Sequence, residues 1–248
     1  MAPPDASFRD RSLYLPAADA LVCADLHVGR DRSSNVELPL GESDDLLDRI
    51  EALLSRFEPS EFVVAGDALH SFDRVPRGVA TTFADLAELV ADAGAEFVVT
   101  TGNHDTMLDS VIGGDAAATE VAGELADAAT VADEYRLSGI DAVVLHGHEQ
   151  PGADAELYVC GHDHPAIRIE GKRHPCYLFG EGVRGGADVL VVPAFNRLAP
   201  GTLVNRARSD GFQSPLLDRS SAFRPIVRDD DAAETFWFPP LDELRSML

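Results

Sequence analysis

The apolar run Phe97-Val98-Val99 ends at Gly102, and the next three residues are Asn103, His104 and Asp105. An apolar run closed by glycine reads as a buried strand entering a tight turn. The turn places three side chains able to bind a metal or move a proton at the end of a sheet. The same ending recurs along the chain. Ala20–Ala24 runs into Asp25-Leu26-His27, and Glu61–Ala65 into Gly66-Asp67. Asp141–Leu145 runs into His146-Gly147-His148, and Glu156–Cys160 into Gly161-His162-Asp163-His164. Seven of the eight histidines lie in or beside these loops, leaving His174 as a surface residue. One polar strand end is ordinary. Five with the same donors restrict the chain to folds that gather strand ends in one place.

The intervening segments say which folds those are. Ser12–Pro16 reads as a strand before Ala20–Ala24. Ser43 reads as the N-cap of a helix whose apolar positions Leu46, Leu47, Ile50, Leu53, Leu54 and Phe57 share one face, ended by Pro59. Gly78–Ala93 reads as a second amphipathic helix, stopped by Gly94. The resulting strand–helix–strand–helix–strand order predicts a mostly parallel sheet with helical crossovers. Ala116–Leu125 reads as a further helix. Beyond it, Ala129–Leu137, Asp141–Leu145, Glu156–Cys160, Ile167–Glu170, Cys176–Phe179 and Val189–Pro193 read as strands. Gly171-Lys172 is a hairpin signal between two of them. The first part is thus α/β and the second largely β, as two sheets packed face to face would be. No repeat or boundary interrupts residues 1–248, which are expected to form one domain. Residues 196–224, loop-like and arginine-bearing, are a candidate lid or specificity loop.

Composition narrows the class. No apolar run approaches the roughly 18–20 residues a bilayer requires, so no membrane segment is expected. Met1–Arg11 lacks the apolar core of a signal peptide. Cys23, Cys160 and Cys176 are odd in number and scattered, which suits a reducing cytoplasm better than a disulfide framework. Forty-three acidic residues face twenty basic ones, a net charge of −23, and Lys172 is the only lysine. The acids are spread along the whole chain rather than clustered for a basic ligand. They suit a solvated, halophilic surface, because screening shrinks to about 3 Å at 1 M salt. No lysine-rich or aromatic-interleaved basic stretch of the kind found in nucleic-acid binders is present.

Residues two apart in an extended segment point to one face. Asp25 with His27, and His162 with His164, are therefore each expected to aim a pair of side chains at one point. Mixed imidazole, carboxylate and amide donors suit Mn²⁺, Fe²⁺ or Zn²⁺ better than the oxygen cages of Ca²⁺ or Mg²⁺. The donors outnumber the needs of one four-coordinate ion, so two ions are implied. Such a pair, about 3.5–4 Å apart, forms a clamp for in-line attack on phosphorus.

These motifs, in this order, resemble those of the calcineurin-like metallophosphoesterases over roughly residues 20–195. The resemblance implies a four-layer αββα sandwich of two β-sheets flanked by helices. It implies one metal held by Asp25, His27 and His164, another by Asn103, His146 and His162, and Asp67 bridging them. His104 would be the general acid or phosphate-binding histidine, oriented by Asp105. The cofactor expected is a pair of divalent ions, Mn²⁺ first, with Fe²⁺, Zn²⁺ or Ni²⁺ as alternatives. Within the superfamily, Gly66–Ser71 and Val192–Asn196 are similar to the ICC-like, SbcD-related branch, which includes ligase-associated DNA-damage-response endonucleases. Many relatives carry an acid three residues after the bridging aspartate, where this chain has His70. The long C-terminal capping region of the double-strand-break nucleases is missing.

The expected reaction is hydrolysis of a phosphodiester, on DNA or nucleotide-like substrates, by hydroxide activated between two ions. Arg30, Arg32, His70 and His148 are candidates for substrate contact. A phosphomonoesterase or small-diester hydrolase is the alternative enzyme. A non-catalytic scaffold of the same fold would be expected to have lost ligands that are all present here.

Overall fold

The computed structural model describes residues 5–33, 41–70, 78–105, 108, 128–207 and 211–247. The helix expected over Ala116–Leu125 lies outside them. Six strands form the first sheet in spatial order: β1 (Ser7–Arg9), β2 (Ser12–Leu15), β3 (Ala20–Cys23), β4 (Glu61–Ala65), β5 (Glu96–Thr100) and β6 (Thr130–Ala132). The pairs from β3 to β6 are parallel, in register Cys23↔Val64↔Val99. All four residues of β3 and all five of β4 are buried, as expected of parallel strands covered on both faces.

A single helical turn, α1 (Arg30–Ser33), follows β3 and its loop. Helix α2 (Glu42–Phe57) crosses from β3 to β4, and α3 (Val79–Asp92) from β4 to β5. Leu46, Ile50, Leu53 and Leu54 of α2 and Val79, Phe83, Leu86 and Val90 of α3 pack on Phe62, Val64, Phe97 and Val99. Ser43 is not the N-cap expected from sequence. The helix starts two residues earlier, at Glu42 after an N-cap at Gly41, with no side-chain cap. The carboxylate of Glu42 accepts from the backbone N–H groups of Gly29, Arg30 and Asp31, which anchors the first residue of α2 to the loop after β3.

The segment read as one strand over Ala129–Leu137 is cut at Asp133. Its first half is β6, and its second half, β7 (Glu134–Arg136), belongs to the second sheet. That sheet also holds β8 (Ala142–Leu145), β9 (Leu157–Cys160), β12 (Tyr177–Arg184), β13 (Ala187–Val191), β15 (Arg224–Asp229) and β16 (Glu234–Trp237). Its order is β16-β15-β12-β13-β9-β8-β7. Leu13, Leu15, Val22, Val63 and Val98 of the first sheet meet Val144, Val159, Phe179, Leu190 and Ile226 of the second in one buried cluster. The sheets are therefore packed face to face.

The outer layer on the second sheet is mixed. Among the described residues it holds one six-residue helix, α4 (Leu241–Ser246), and a three-stranded sheet. That sheet contains β10 (Pro165–Ile169), β11 (Lys172–Pro175) and β14 (Thr202–Leu203). Ile167, Val204, Leu216, Leu217, Phe223 and Leu241 cover Val143, Cys160, Leu178 and Val191. The β10–β11 turn is Glu170-Gly171, both with positive φ, because Ile169 pairs with Lys172. This is the primed hairpin geometry, one residue before the Gly171-Lys172 expected, and it makes Lys172–Pro175 a strand. Most of the described part of 196–224 is likewise built into this layer rather than lying loose above it. β14 pairs with β10, and Asn196, Ser214, Leu216, Leu217 and Phe223 are buried.

Candidate metal centre

The C-terminal ends of β3, β4 and β5 meet those of β8 and β9, and the strand-end donors lie there. A parallel bridge between Val28 and Leu69 laces the first two loops together. The backbone N–H of Asp25 donates to the Gly66 carbonyl, and that of His27 to the Asp67 carbonyl. The paired side chains do not converge through extended backbone, as the period-two expectation had it. Asp25, His27, Asp67, His162 and His164 all have left-handed φ, between 44° and 70°. The chain turns sharply at each of these five candidate ligands instead.

Asp25, His27, Asp67 and His164 bring one ligand atom each within 4.8 Å of one another. The Nε2 atoms of His27 and His164 are 3.2 Å apart, and His164 Nε2 is 3.2 Å from Asp25 Oδ1. A second group gathers around His146 Nε2, which is 3.1 Å from Asn103 Oδ1 and 3.0 Å from His162 Nδ1. Asp67 Oδ1 is 3.5 Å from that same nitrogen, while Asp67 Oδ2 is 3.8 Å from His27 Nε2. Asp67 thus touches both groups.

The electrostatics fit cations. Burial and the neighbouring Asp25 carboxylate push Asp67 up to about 8. Burial also works against ionised Asp25, but His164, His146 and His27 outweigh it and hold that carboxyl at about 2. Burial pushes His27 and His146 down to about 3, which keeps their ring nitrogens neutral and able to donate lone pairs. Among the described residues no arginine or lysine pairs with Asp25 or Asp67. His164 goes the other way: burial opposes its charge, but Asp25 and Asp67 outweigh burial and raise its pKa. The remaining imidazoles of the site are lowered, so divalent ions would supply further positive charge to the two buried carboxylates.

His104 stands at the open edge, its side chain 24% exposed and its Nε2 3.8 Å from Asp67 Oδ2. Its backbone N–H donates to Asp67 Oδ1 at 2.9 Å. Asp105, expected to orient the His104 ring, accepts instead from the backbone N–H groups of Gly102, Leu69 and Ala68. It ties the His104 turn to the Asp67 loop and acts on the backbone. His70 lies beside both His27 and His104, its ring parallel to that of His104 at 5.8 Å. These three histidines form a further cluster of possible donors. Burial lowers the pKa of His70 to about 4, and the charge of Arg30 adds to the effect, so Arg30 faces this side. His148 packs against His146 and His162 at 5.2 and 6.1 Å between ring centres. The side chain of Arg32 lies outside the described residues. His174 sits partly buried on β11, away from these groups.

Three residues behind the candidate ligands had no role assigned from sequence, although Asp163 and Asn196 lie within sequence motifs; Glu42 carried no signal at all. The Asn196 side-chain amide donates to the carbonyls of Leu26 and His27 and to Glu42. Glu42 thereby braces the His27 loop from both sides. Asp163, between two ligands, accepts from the backbone N–H groups of Gln213 and Ser214. A helix-first glutamate and a loop asparagine have no pattern of their own; only the fold brings them together.

A two-sheet α/β sandwich with clustered metal donors at its strand ends is the architecture of a phosphoester-cleaving metalloprotein. The chain belongs to the calcineurin-like phosphoesterases, whose family model matches residues 19–166, more than half its length. Membership makes it a hydrolase of phosphoesters that uses divalent metals. The nuclease MPE of Pseudomonas putida shares its fold, with a TM-score of 0.59 and 21% identity over 88% of each chain. YfcE, a phosphoesterase from E. coli, aligns more loosely. Its TM-score is 0.44 and its identity 15%, over 88% of this chain and 96% of that one. No curated protein matches the chain.

Proposed function

We propose that the chain is a dinuclear, metal-dependent phosphodiesterase acting on DNA or nucleotide-like diesters. The observation that carries this reading is the position of Asp67 between two donor groups, with one oxygen toward each. In this reading Asp25, His27 and His164 hold one cation, Asn103, His146 and His162 the other, and Asp67 both. Mn²⁺ is the metal expected first, with Fe²⁺, Zn²⁺ or Ni²⁺ as substitutes. Bound there, the pair would polarise the phosphoryl oxygens and supply an activated water. His104, at the open edge, donates a proton to the leaving alkoxide or offsets its charge, a role worth roughly 10²–10⁴-fold in rate. Asp105 holds the turn that keeps His104 over Asp67. Arg30, His70 and His148 lie around the same opening and contact the substrate.

Nucleic acid as substrate is favoured by similarity to the ICC-like branch and by a fold neighbour that is a nuclease. The acidic surface and three buried free thiols suit a reducing, salt-rich cytoplasm. Among the described residues no helix is long and apolar enough to cross a membrane.

The test is hydrolysis by purified protein with Mn²⁺ in molar salt, against bis-nitrophenyl phosphate, nitrophenyl phosphate and single-stranded DNA. Turnover of the diesters and loss of it in Asp67→Ala are expected. Cleavage of the monoester alone would make the protein a phosphatase. No hydrolysis above the Asp67→Ala background, with fewer than one ion per chain, would make it a scaffold.

A further inference from the structure

Beside the metal centre lies a cavity of about 260 Å³, with His164 in its wall. His164 Nε2 also reaches Asp25 at 3.2 Å, so one residue separates the cavity from the cation site. Three arginines line it, drawn from distant parts of the chain. Arg11 comes from the β1–β2 turn, Arg173 from β11 and Arg197 from the segment after β13. The chain has more than two acids for every base, yet the twelve residues lining this cavity include three arginines and no acid. The sequence hides this concentration, because no two of the arginines are neighbours.

These charges are only partly neutralised. Arg197 bonds Asp45 at 2.8 Å and Asp10 at 3.4 Å, on the side of α2. Arg11 donates instead to the backbone carbonyls of Ala194 and Asn196, and Arg173 to that of Gly201. A carbonyl accepts a hydrogen bond without cancelling the charge. Burial, with neighbouring Arg49 and Arg197, outweighs the nearby Asp10 carboxylate and lowers the pKa of Arg11 to about 10. The rest of the lining is largely apolar, with Pro165, Pro175 and Pro200 and an exposed Leu198.

Guanidinium groups beside rigid apolar walls fit a phosphate carrying a sugar and a base. We propose that this cavity is a subsite for the nucleotide adjoining the cleaved diester of a nucleic-acid strand. Arg11 and Arg173 hold its phosphate, while Leu198 and the prolines cover its sugar or base. The inference rests on the phosphodiesterase reading and narrows it: the substrate is a strand with a flanking phosphate rather than an isolated diester. It also explains how so acidic a protein accepts a polyanion, through one local reversal of charge beside the reacting site.

The experiment compares the thymidylate dimer d(TpT), which has no flanking phosphate, with the trimer d(TpTpT), at equal salt and with Mn²⁺. Per bond, kcat/KM for the trimer is expected to be about tenfold higher in the wild-type protein, mostly through KM. In Arg173→Ala the ratio falls towards one, in Arg173→Glu below one, and Arg173→Lys restores part of it. Arg173 is exposed on an outer strand, so these variants fold, and metal content measured alongside verifies the centre. A wild-type ratio of one, or a ratio indifferent to Arg173→Ala and Arg173→Glu, overturns the subsite. Wild-type hydrolysis of bis-nitrophenyl phosphate keeps the two readings apart: if it proceeds while the ratio stays at one, only the subsite fails. If it is absent, the phosphodiesterase reading fails first.

Discussion

Replacing Gly102 by alanine tests the centre without touching a ligand. A Cβ at this position would stand 2.2 Å from Asp67 Oδ1 and 2.3 Å from the Asp67 backbone nitrogen. Non-bonded heavy atoms settle at roughly 3.5 Å, so the shortfall exceeds about 1 Å. One of the two close atoms is backbone, so a change of rotamer cannot relieve the clash; either the Asp67 loop or the His104 turn must move. Gly102 is not in the left-handed region, so backbone strain does not compete as an explanation. Overpacking of this kind costs about 1–3 kcal/mol, which for a chain this long lowers Tm by roughly 2–6 °C. Displacing a reacting group by about 1 Å costs roughly 10²-fold in rate. Gly102→Ala should therefore lose about two orders of magnitude in kcat/KM on bis-nitrophenyl phosphate, with weakened Mn²⁺ binding by calorimetry. The control is Gly152→Ala, whose Cβ meets only Glu134 at ordinary contact distance. Full metal loading and turnover within threefold of wild type in Gly102→Ala would refute the shared role of Asp67.

Four more outcomes follow from the structure. In metal-free protein Asp67 holds its proton to about pH 8 while the unfolded chain gives it up near 3.8. Stability should therefore fall as pH rises from about 7.5, above the range in which unfolded histidines titrate, to about 8 and beyond; a rising Tm over that window contradicts it. Metal loading at pH 7 should accordingly release a proton from Asp67, read as a buffer-dependent calorimetric enthalpy. Asn196→Ala strips a buried amide from Leu26, His27 and Glu42 and should cost about 1–3 kcal/mol, with a lower metal content measured by mass spectrometry. Tyr177→Phe removes only the 2.7 Å bond to the Ser12 carbonyl between the sheets. It should cost about 1 kcal/mol in denaturant titration and leave kcat/KM alone.

The parallel half of the fold was legible because its strands are unbroken apolar runs and its helices keep one buried face. Val79, Phe83, Leu86 and Val90 could hardly be read otherwise. The second half was less so. Ala129–Leu137 looks like one strand because nothing in its composition marks Asp133 as the crossing between sheets. Its Thr101 partner lies 32 residues earlier and forms only in the fold. The Ser43 cap failed because local helix signals ignore a long-range demand, here that of the loop backbone on Glu42. The donors themselves stood out as residue types at strand ends. Of what holds them, Asp163 and Asn196 sit inside motifs that say nothing of their partners, and Glu42 is ordinary in sequence and special only by position.

The glycines of the motifs show how that centre is packed. Gly66, Gly102 and Gly161 each precede a candidate ligand, yet each makes room for one from another motif. A Cβ on Gly66 would strike the His146 ring at 2.4 Å, one on Gly161 would meet Asp25 Oδ2 at 2.6 Å, and Gly102 faces Asp67. Space is thus exchanged between residues that lie 35 (Gly102 and Asp67) to 136 (Gly161 and Asp25) positions apart in the chain. Among the described residues, five of the eleven non-glycine positions with positive φ are the candidate ligands Asp25, His27, Asp67, His162 and His164. At such positions a side chain costs about 1–2 kcal/mol, and glycine would relieve it, but glycine cannot ligate. Strain held at the ligands and absence of side chains just before them are two sides of one requirement. In the proposed two-ion centre, seven donors from five loops would have to crowd within reach of both ions, and backbone turned against its preference, next to residues that occupy no space, lets them.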